Sequence, residues 1–259
     1  MVTENRKINK ITMKPQPITE ETLDELALDE PTCIFINEEY HVTLISSPHM
    51  KKELAVGYLI SEAIIRDPQE IRSISFREND VYIDLTKEID LRKISVGMMN
   101  LIVTACGSKP RGIRSQVTMP KVSSVLYVKA ETILGMIRKL NQKSDVHLRT
   151  RGTHAAMACT NDGEVLAFAE DVGRHNAVDK VIGSLAIDNV DSGRCVLLST
   201  GRQSGEMVQK AARGGIPVVV SMTVPLISGV RLAEISGVTL ASIGPGQIKV
   251  YTNADRIKL

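Results

Sequence analysis

Cys106 stands where the apolar run Leu101-Ile-Val-Thr-Ala breaks into Gly107-Ser-Lys-Pro, and Lys109, Arg111 and Arg114 all follow within eight residues. A thiol is nucleophilic as its thiolate, and neighbouring cations favour that form. Cys106 is therefore the candidate nucleophile; the competing reading is a small buried hydrophobe, as most free cysteines are. A second concentration of chemistry is Glu170-Asp-Val-Gly-Arg-His-Asn176, which packs two acids, Arg174, His175 and an amide into seven residues ahead of an amphipathic helix. The positive end of a helix dipole accounts for the acids at a capped, solvated helix end, but not for Arg174 and His175. Two glycine-bearing loops complete the set, Gly201-Arg-Gln-Ser-Gly-Glu206 and Gly244-Pro-Gly246. Backbone amides in a glycine loop leading into a helix suit a phosphate or pyrophosphate, and Arg202 adds charge. Neither loop carries a Walker or dinucleotide fingerprint.

Several chemistries are disfavoured by what is missing. A zinc nucleobase deaminase needs His-x-Glu and then Pro-Cys-x-x-Cys. His154 is followed by two alanines, and the four cysteines, at 33, 106, 159 and 195, are too widely spaced for a Cys-x-x-Cys. A serine-hydrolase elbow, Gly-x-Ser-x-Gly, is also lacking. A cysteine-protease pairing of Cys106 with His154 or His175 is open on residue type, but nothing in the sequence brings them together. His41 and His49 have no cysteine or carboxylate at ligand spacing and are read as structural, so no metal site is expected. A net charge of +2 gives no bulk field for nucleic acid or an anionic membrane, so any anion site must be local. Aromatics at 3%, without tryptophan, are too sparse for a base-stacking platform. The longest apolar window, 216–227, holds two prolines and falls short of a membrane span. The amino terminus lacks the apolar core of a signal peptide. Scattered cysteines point to free thiols in a reducing, cytoplasmic setting.

Periodicity suggests the elements that must position these groups. Residues 1–20 are polar, contain Pro15 and Pro17, and read as a loosely held arm. Residues 33–46 read as two strands around Asn37-Glu-Glu, followed by a helix opened by Pro48, with Leu54, Tyr58, Ile60, Ile64 and Ile65 on its apolar face and Gly57 as a close-packing point. A second hairpin spans 71–86. Residues 21–115 thus form an N-terminal α+β unit ending in the cysteine loop. In 116–259, Lys129–Asn141 is a helix with Ile133, Met136, Ile137 and Leu140 on one face. Asp162-Gly163 marks a hairpin turn. From Cys195 the order is strand, helix, strand, helix, strand, which implies parallel pairing. Ligands of such sheets lie beyond the carboxyl ends of the strands, where 201–205 and 244–246 fall. Cys33, Cys159 and Cys195 lie in apolar strands and are read as core.

Taken in order, Thr104-Ala-Cys-Gly-Ser108, Gly152-Thr-His-Ala-Ala156, the string from Glu170 to Lys180, Ser199-Thr-Gly-Arg-Gln-Ser-Gly-Glu-Met207, Ser221-Met-Thr-Val-Pro-Leu226 and Val250-Tyr-Thr252 resemble the formate dehydrogenase accessory sulfurtransferase family (FdhD). The resemblance implies an α/β chain, α+β overall, with a cytidine-deaminase-like core of mixed sheet flanked by helices, a smaller N-terminal α+β unit, and a homodimer. It implies a sulfur carrier that takes sulfane sulfur from a cysteine desulfurase as a persulfide on Cys106. The sulfur then passes to the molybdenum or tungsten bis(guanine dinucleotide) cofactor required by formate dehydrogenase. Ser242, Ile243, Gly244, Pro245, Gly246 and Gln247 fall at the cofactor-binding position. Gly201, Arg202, Ser204, Gly205, Arg174, His175 and His154 are further candidate contacts, and Arg151 is an additional countercharge. In two places the chain departs from the family pattern. Lys109 stands where many members carry a second cysteine, which leaves a one-cysteine relay. Gly244 and Gln247 occupy a segment that often bears arginine. The alternative role is a chaperone that binds and inserts the cofactor, with Cys106 dispensable.

Overall fold

The computed structural model describes residues 2–13, 15–88 and 119–259. Cys106 and its cationic flank lie outside these residues, as do Val117 and the end of the N-terminal unit.

The amino-terminal stretch, expected as a loose arm, instead forms β1 (Thr3–Thr12) and β2 (Ile18–Ala27), an antiparallel ribbon paired along its whole length. Opposite charges face one another across it, with Lys7 Nζ 3.2 Å from Glu21 Oε1 and Lys10 Nζ 3.6 Å from Glu20 Oε1. Pro15 and Pro17 fall between the strands, where neither removes a ladder hydrogen bond. An ion pair between Glu25 and Arg149 ties the ribbon down.

A four-stranded sheet follows, built from β3 (Glu30–Ile36), β4 (Glu39–Ser46), β5 (Ile71–Arg77) and β6 (Asp80–Leu85) in the order β4-β3-β6-β5. Asn37 and Glu38 sit at φ 50° and 66°, the left-handed pair that a two-residue hairpin turn favours. Between the hairpins runs α1 (Lys51–Ser61); it begins after Met50 rather than at Pro48.

The larger unit contains β7 (Val128–Lys129), α2 (Ala130–Lys143), α3 (Asp145–Thr150), β8 (His154–Cys159), β9 (Val165–Asp171), α4 (Arg174–Ile187), β10 (Val196–Ser199), α5 (Gly205–Arg213), β11 (Val218–Ser221), α6 (Ile227–Ser236), β12 (Thr239–Gly244), β13 (Gln247–Val250) and β14 (Ile257–Lys258). Six strands make a mixed sheet in the order β13-β12-β11-β10-β8-β9. The parallel run β10-β11-β12 is the expected one. The antiparallel β13 was not anticipated from the sequence.

On one face of this sheet Ile133, Met136, Ile137 and Leu140 of α2 meet Val196, Leu198, Val218 and Val220. On the other, Leu197, Val219 and Leu240 join a core that continues through α1, α4 and α5 to Ile34, Val81 and Ile83 of the smaller sheet. Burying each such aliphatic side chain contributes roughly 1.5–3 kcal/mol. Helix α4, expected to be amphipathic, is buried on nearly every side because it lies inside this shared core. Helices α1 and α4 meet at Gly57 and Gly183, where an added Cβ would overlap the backbone carbonyl of Asp179 or Glu53 respectively. Gly57 is thus the close-packing point its position suggested. Among the described residues, no helix is long and apolar enough to cross a membrane.

Candidate functional site

The strand register gathers the chemistry on one edge of the large sheet. Ser199 pairs with Ser221, and Ser221 with Ser242, so β10 and β11 end together and β12 runs two residues past them to Gly244. Ala156 pairs with Ser199, which brings His154, two residues earlier on antiparallel β8, level with the loop after β10. His154 itself pairs with Asp171 at the end of β9. At about 4.8 Å per strand, the edge from β9 to β12 is about 20 Å long. Helices α4, α5 and α6 all begin here, and none has its N-cap side chain bonded to its first turn. The first amide of α5, at Gly205, is taken by Ser228 Oγ at 3.1 Å, but the remaining first-turn amides and the positive ends of three helix dipoles make this edge attractive to anions.

The side chains on the edge carry further unmet hydrogen-bonding capacity. Arg174 lies against Gly201, where an added Cβ would sit 2.7 Å from the arginine Cβ, so the approach needs glycine. Among the described residues its Nε is buried without a partner, and so is Ser204 Oγ at the N-cap of α5. His175 Nε2 lies 3.3 Å from Glu206 Oε2, close enough for charge attraction, yet makes no well-aligned hydrogen bond. Contact with His175 nevertheless holds Glu206 below the usual carboxylate range. His154 Nδ1 is 3.2 Å from Thr200 Oγ1. Burial, then the neighbouring Arg174, His147 and His175, depress the His154 pKa, which favours the neutral ring. The loop is held rigidly: the Gly201 carbonyl accepts from Gln203 Nε2 and from Ser221 Oγ, each at 2.9 Å.

The remaining groups of the charged string face inward, contrary to the expectation of a solvated helix end. Glu170 accepts from the Val146 and His147 amides at 3.0 and 2.7 Å and from Thr153 Oγ1 at 3.0 Å, capping α3. Asp171 and Lys180 are fully buried and joined at 2.6 Å. Asp171 also accepts from the Ser47 and Gly173 amides, at 3.0 and 2.8 Å. Asn176 donates 2.8 Å to the Ile45 carbonyl. Asp179 Oδ2 meets Lys210 Nζ at 2.9 Å, and burial raises the Asp179 pKa against the opposing pull of Lys210. Together these contacts anchor α4 to the N-terminal unit and to α5, and leave Arg174 and His175 on the open edge.

The segment 242–247 divides. Ser242 is buried with Oγ 3.0 Å from the Tyr251 hydroxyl, and Ile243 packs into the core below α2. Gly244, Pro245, Gly246 and Gln247 form the projecting turn into β13, with Gly246 at φ 68° as a proline-glycine turn of type II requires. Arg202 is exposed and Gly205 half-buried on the same edge, while Arg151 is exposed beyond the end of α3. Sequence reasoning missed Thr200, Glu206 and Ser221. All three lie inside the quoted strings, but nothing in spacing alone assigns them partners.

Three of the cysteines are described. Burial raises Cys159 to about 12 and Cys195 to about 11, which makes both thiols inert at neutral pH. Cys33 is half-buried on β3 with Sγ 3.4 Å from Thr43 Oγ1. Among the described residues, no group of three His, Cys, Asp or Glu side chains is arranged to hold a metal ion. A surface cleft lined by Val56, Ile71, Phe76 and Ile187 among others contains none of the residues of this edge. It is a surface feature of α1 and β5, and the chemistry lies elsewhere.

Residues 27–258 match the profile of the FdhD/NarQ family. The chain is 33% identical over 241 residues to a protein of Sulfolobus acidocaldarius named sulfur carrier protein FdhD, an alignment covering 91% of this chain and 92% of the relative. A Mycobacterium tuberculosis protein of the same name is 31% identical, with 90% of this chain and 92% of the relative covered. A crystal structure described as a formate dehydrogenase accessory protein, from Desulfotalea psychrophila, superposes with a TM-score of 0.79 at 25% identity and covers 100% of both chains. Identity above 30% along nine tenths of the sequence, together with a profile match from the second strand to the penultimate residue, makes this chain a member of the FdhD/NarQ family.

Proposed function

We propose that this protein is a sulfur carrier serving formate dehydrogenase. Cys106 accepts sulfane sulfur from a cysteine desulfurase, and the sheet edge holds the molybdenum or tungsten bis(guanine dinucleotide) cofactor that receives it. In the loading step the Cys106 thiolate attacks the outer sulfur of the desulfurase persulfide. One S–S bond forms, the other breaks, and the desulfurase cysteine leaves as thiolate. In onward transfer the outer sulfur moves as sulfane sulfur: the Cys106 S–S bond breaks, Cys106 leaves as thiolate, and the accepting cofactor substrate supplies the electron pair of the new bond. The cofactor is substrate here, not a resident group. A cytidine-deaminase-like core, a homodimer and a cytoplasmic setting belong to the same reading.

The observation that carries it is the edge itself. Three helix N-termini whose N-cap side chains make no cap bond open on it, beside Arg174 Nε and Ser204 Oγ, which have no partner among the described residues, and these suit the pyrophosphates of such a ligand. The buried, inert thiols of Cys159 and Cys195 support assigning the persulfide to Cys106.

The test is intact mass after incubating reduced protein with a cysteine desulfurase and cysteine. One added sulfur, removed by reductant and absent from Cys106→Ala, is the expected result. A Cys106→Ala protein that still supports formate dehydrogenase would replace the relay with the chaperone reading.

A further inference from the structure

We propose that the free edge of β5, with the cleft beside it, is a docking site for an extended, acidic and apolar segment of a partner protein, which adds to β5 as a further strand. The smaller sheet has an apolar inner face, and α1 does not cover all of it. Ile71, Ile74 and Phe76 of β5 lie opposite Leu85, Ile83 and Val81 of β6, so they share that face. Their β6 partners are at most 3% exposed, whereas Ile71 and Ile74 are half-buried and Phe76 is 49% exposed. The strip left open is the floor of a cleft of about 370 Å³, completed by Val56 of α1 and Ile187 at the end of α4. Strand β5 is also the last of its sheet, with β6 on one side and, among the described residues, no strand on the other. An edge strand offers unpaired backbone amides and carbonyls, and a peptide that takes them lays alternate side chains over the same face.

Charge selects the occupant. Ile71 opposes Leu85 and Ser73 opposes Asp84, which makes Arg72 the extra residue of a β-bulge. A bulge re-aims the side chain it frees, and Arg72 lines the cleft together with Lys52 of α1. Lys51 and Lys87 of the same unit are ion-paired, with Glu30 and Glu70. Arg72 and Lys52 have no ion-pair partner among the described residues, and no carboxylate lines the cleft. Two unpaired cations on the rim of an apolar floor fit a segment that brings carboxylates beside its apolar side chains, and they repel a basic one. A second copy of this chain is a poor occupant, because two molecules joined through β5 would set the same cations against each other.

The site does not depend on the sulfur-carrier reading, and neither outcome below bears on Cys106 loading, so the two fail separately. The probe is a fluorescein-labelled nonapeptide, Asp-Asp-Val-Thr-Leu-Thr-Phe-Asp-Asp, titrated with the full chain at low salt and read by anisotropy. Its counterpart carries lysine in place of every aspartate. The acidic peptide is expected to bind at least tenfold more tightly than the basic one, and Lys52→Glu with Arg72→Glu to reverse that order. Both positions are exposed, so the double variant should keep the wild-type thermal midpoint. Phe76→Asp should weaken the acidic peptide at least tenfold. Hydrogen exchange should slow in β5 when the acidic peptide is bound. Absence of binding, equal binding of the two peptides, an unreversed order in the double variant, or binding without slowed exchange in β5 would each overturn the proposal. So would a concentration-dependent dimer in sedimentation that Phe76→Asp dissociates and the acidic peptide does not compete with, since the cleft would then belong to a second copy.

Discussion

The body of α4 and its first turn come from one unbroken charged string, yet they have opposite electrostatic fates. In the body, Asp179 and Lys180 are buried and ion-paired, Asp179 through Oδ2 to Lys210 and Lys180 to Asp171 at the end of β9, while Asn176 of the first turn bonds across to the β4 backbone. Also in the first turn, Arg174 Nε has no partner among the described residues and His175 meets Glu206 only loosely. Removing ions from water is costly unless they are paired and hydrogen-bonded, so the first set reads as architecture. Unmet capacity at a helix start reads as a place kept for a ligand. Charge density along the sequence does not separate the two; the partner of each charge does.

The comparison is broken most severely where the body of α4 is held closest. Gly183→Ala places a methyl group into the Glu53 carbonyl, and the helices must separate along the whole shared core. The expected loss is about 3–5 kcal/mol, enough to remove soluble protein from expression. A soluble variant with wild-type thermal midpoint would mean that α1 and α4 are less tightly engaged than described. Lys180→Met leaves Asp171 buried and unpaired, with an expected cost of about 3–5 kcal/mol in denaturant titration. Asp171→Leu added to Lys180→Met should recover a large part of it, since replacing both charges removes the orphan. Failure to recover would assign the stabilisation to the Ser47 and Gly173 amides that Asp171 also holds.

A smaller effect distinguishes the same region by pH. His49 follows Ser47 into α1, and burial, then the charge of Lys180, depress it to about 4. A histidine with a folded pKa below its unfolded value of about 6.5 binds fewer protons in the folded state. Stability is therefore complete above pH 6.5 and falls as pH drops towards 4, by something on the order of 2–3 kcal/mol from this residue. His41 and His154 are depressed as well and add to the same acid limb. His49→Gln should flatten that limb while leaving the pH 7.5 denaturation midpoint little changed; an unaltered slope would remove His49 from it.

Much of this molecule was legible in the sequence. The four apolar positions of α2, the parallel β10-β11-β12 order and the glycine loops at the strand ends followed from periodicity and turn chemistry, which are local properties. What was not legible depended on partners distant in the chain. Residues 1–20 look like a tail until β2 supplies opposite charges at the right register. Gly57 announced a close approach, but nothing marked Gly183 as its partner. Ser242 and Ile243 belong to a glycine-rich string, and only the pairing of β12 with β13 turns them inward. Thr200 is one more hydroxyl in a strand end until β8 brings His154 and Ala155 beside it. Cys106 rests on the sequence alone, since it lies outside the described residues.

The finest test of the comparison is a substitution expected to do almost nothing to stability. Ser204 occupies the N-cap of α5, a position where serine usually bonds to the helix amides and where alanine costs about 1 kcal/mol. Here that bond is not made, and the hydroxyl is buried without a partner. Removing an unsatisfied buried group should be neutral or slightly stabilising, within about 0.5 kcal/mol, whereas removing a working cap should not. Ser204→Ala is thus predicted to leave the denaturation midpoint in place while weakening several-fold the retention of the guanine dinucleotide ligand proposed for this edge. A loss near 1 kcal/mol with unchanged retention would return Ser204 to the architecture, and with it the claim that this helix start is held open for a ligand.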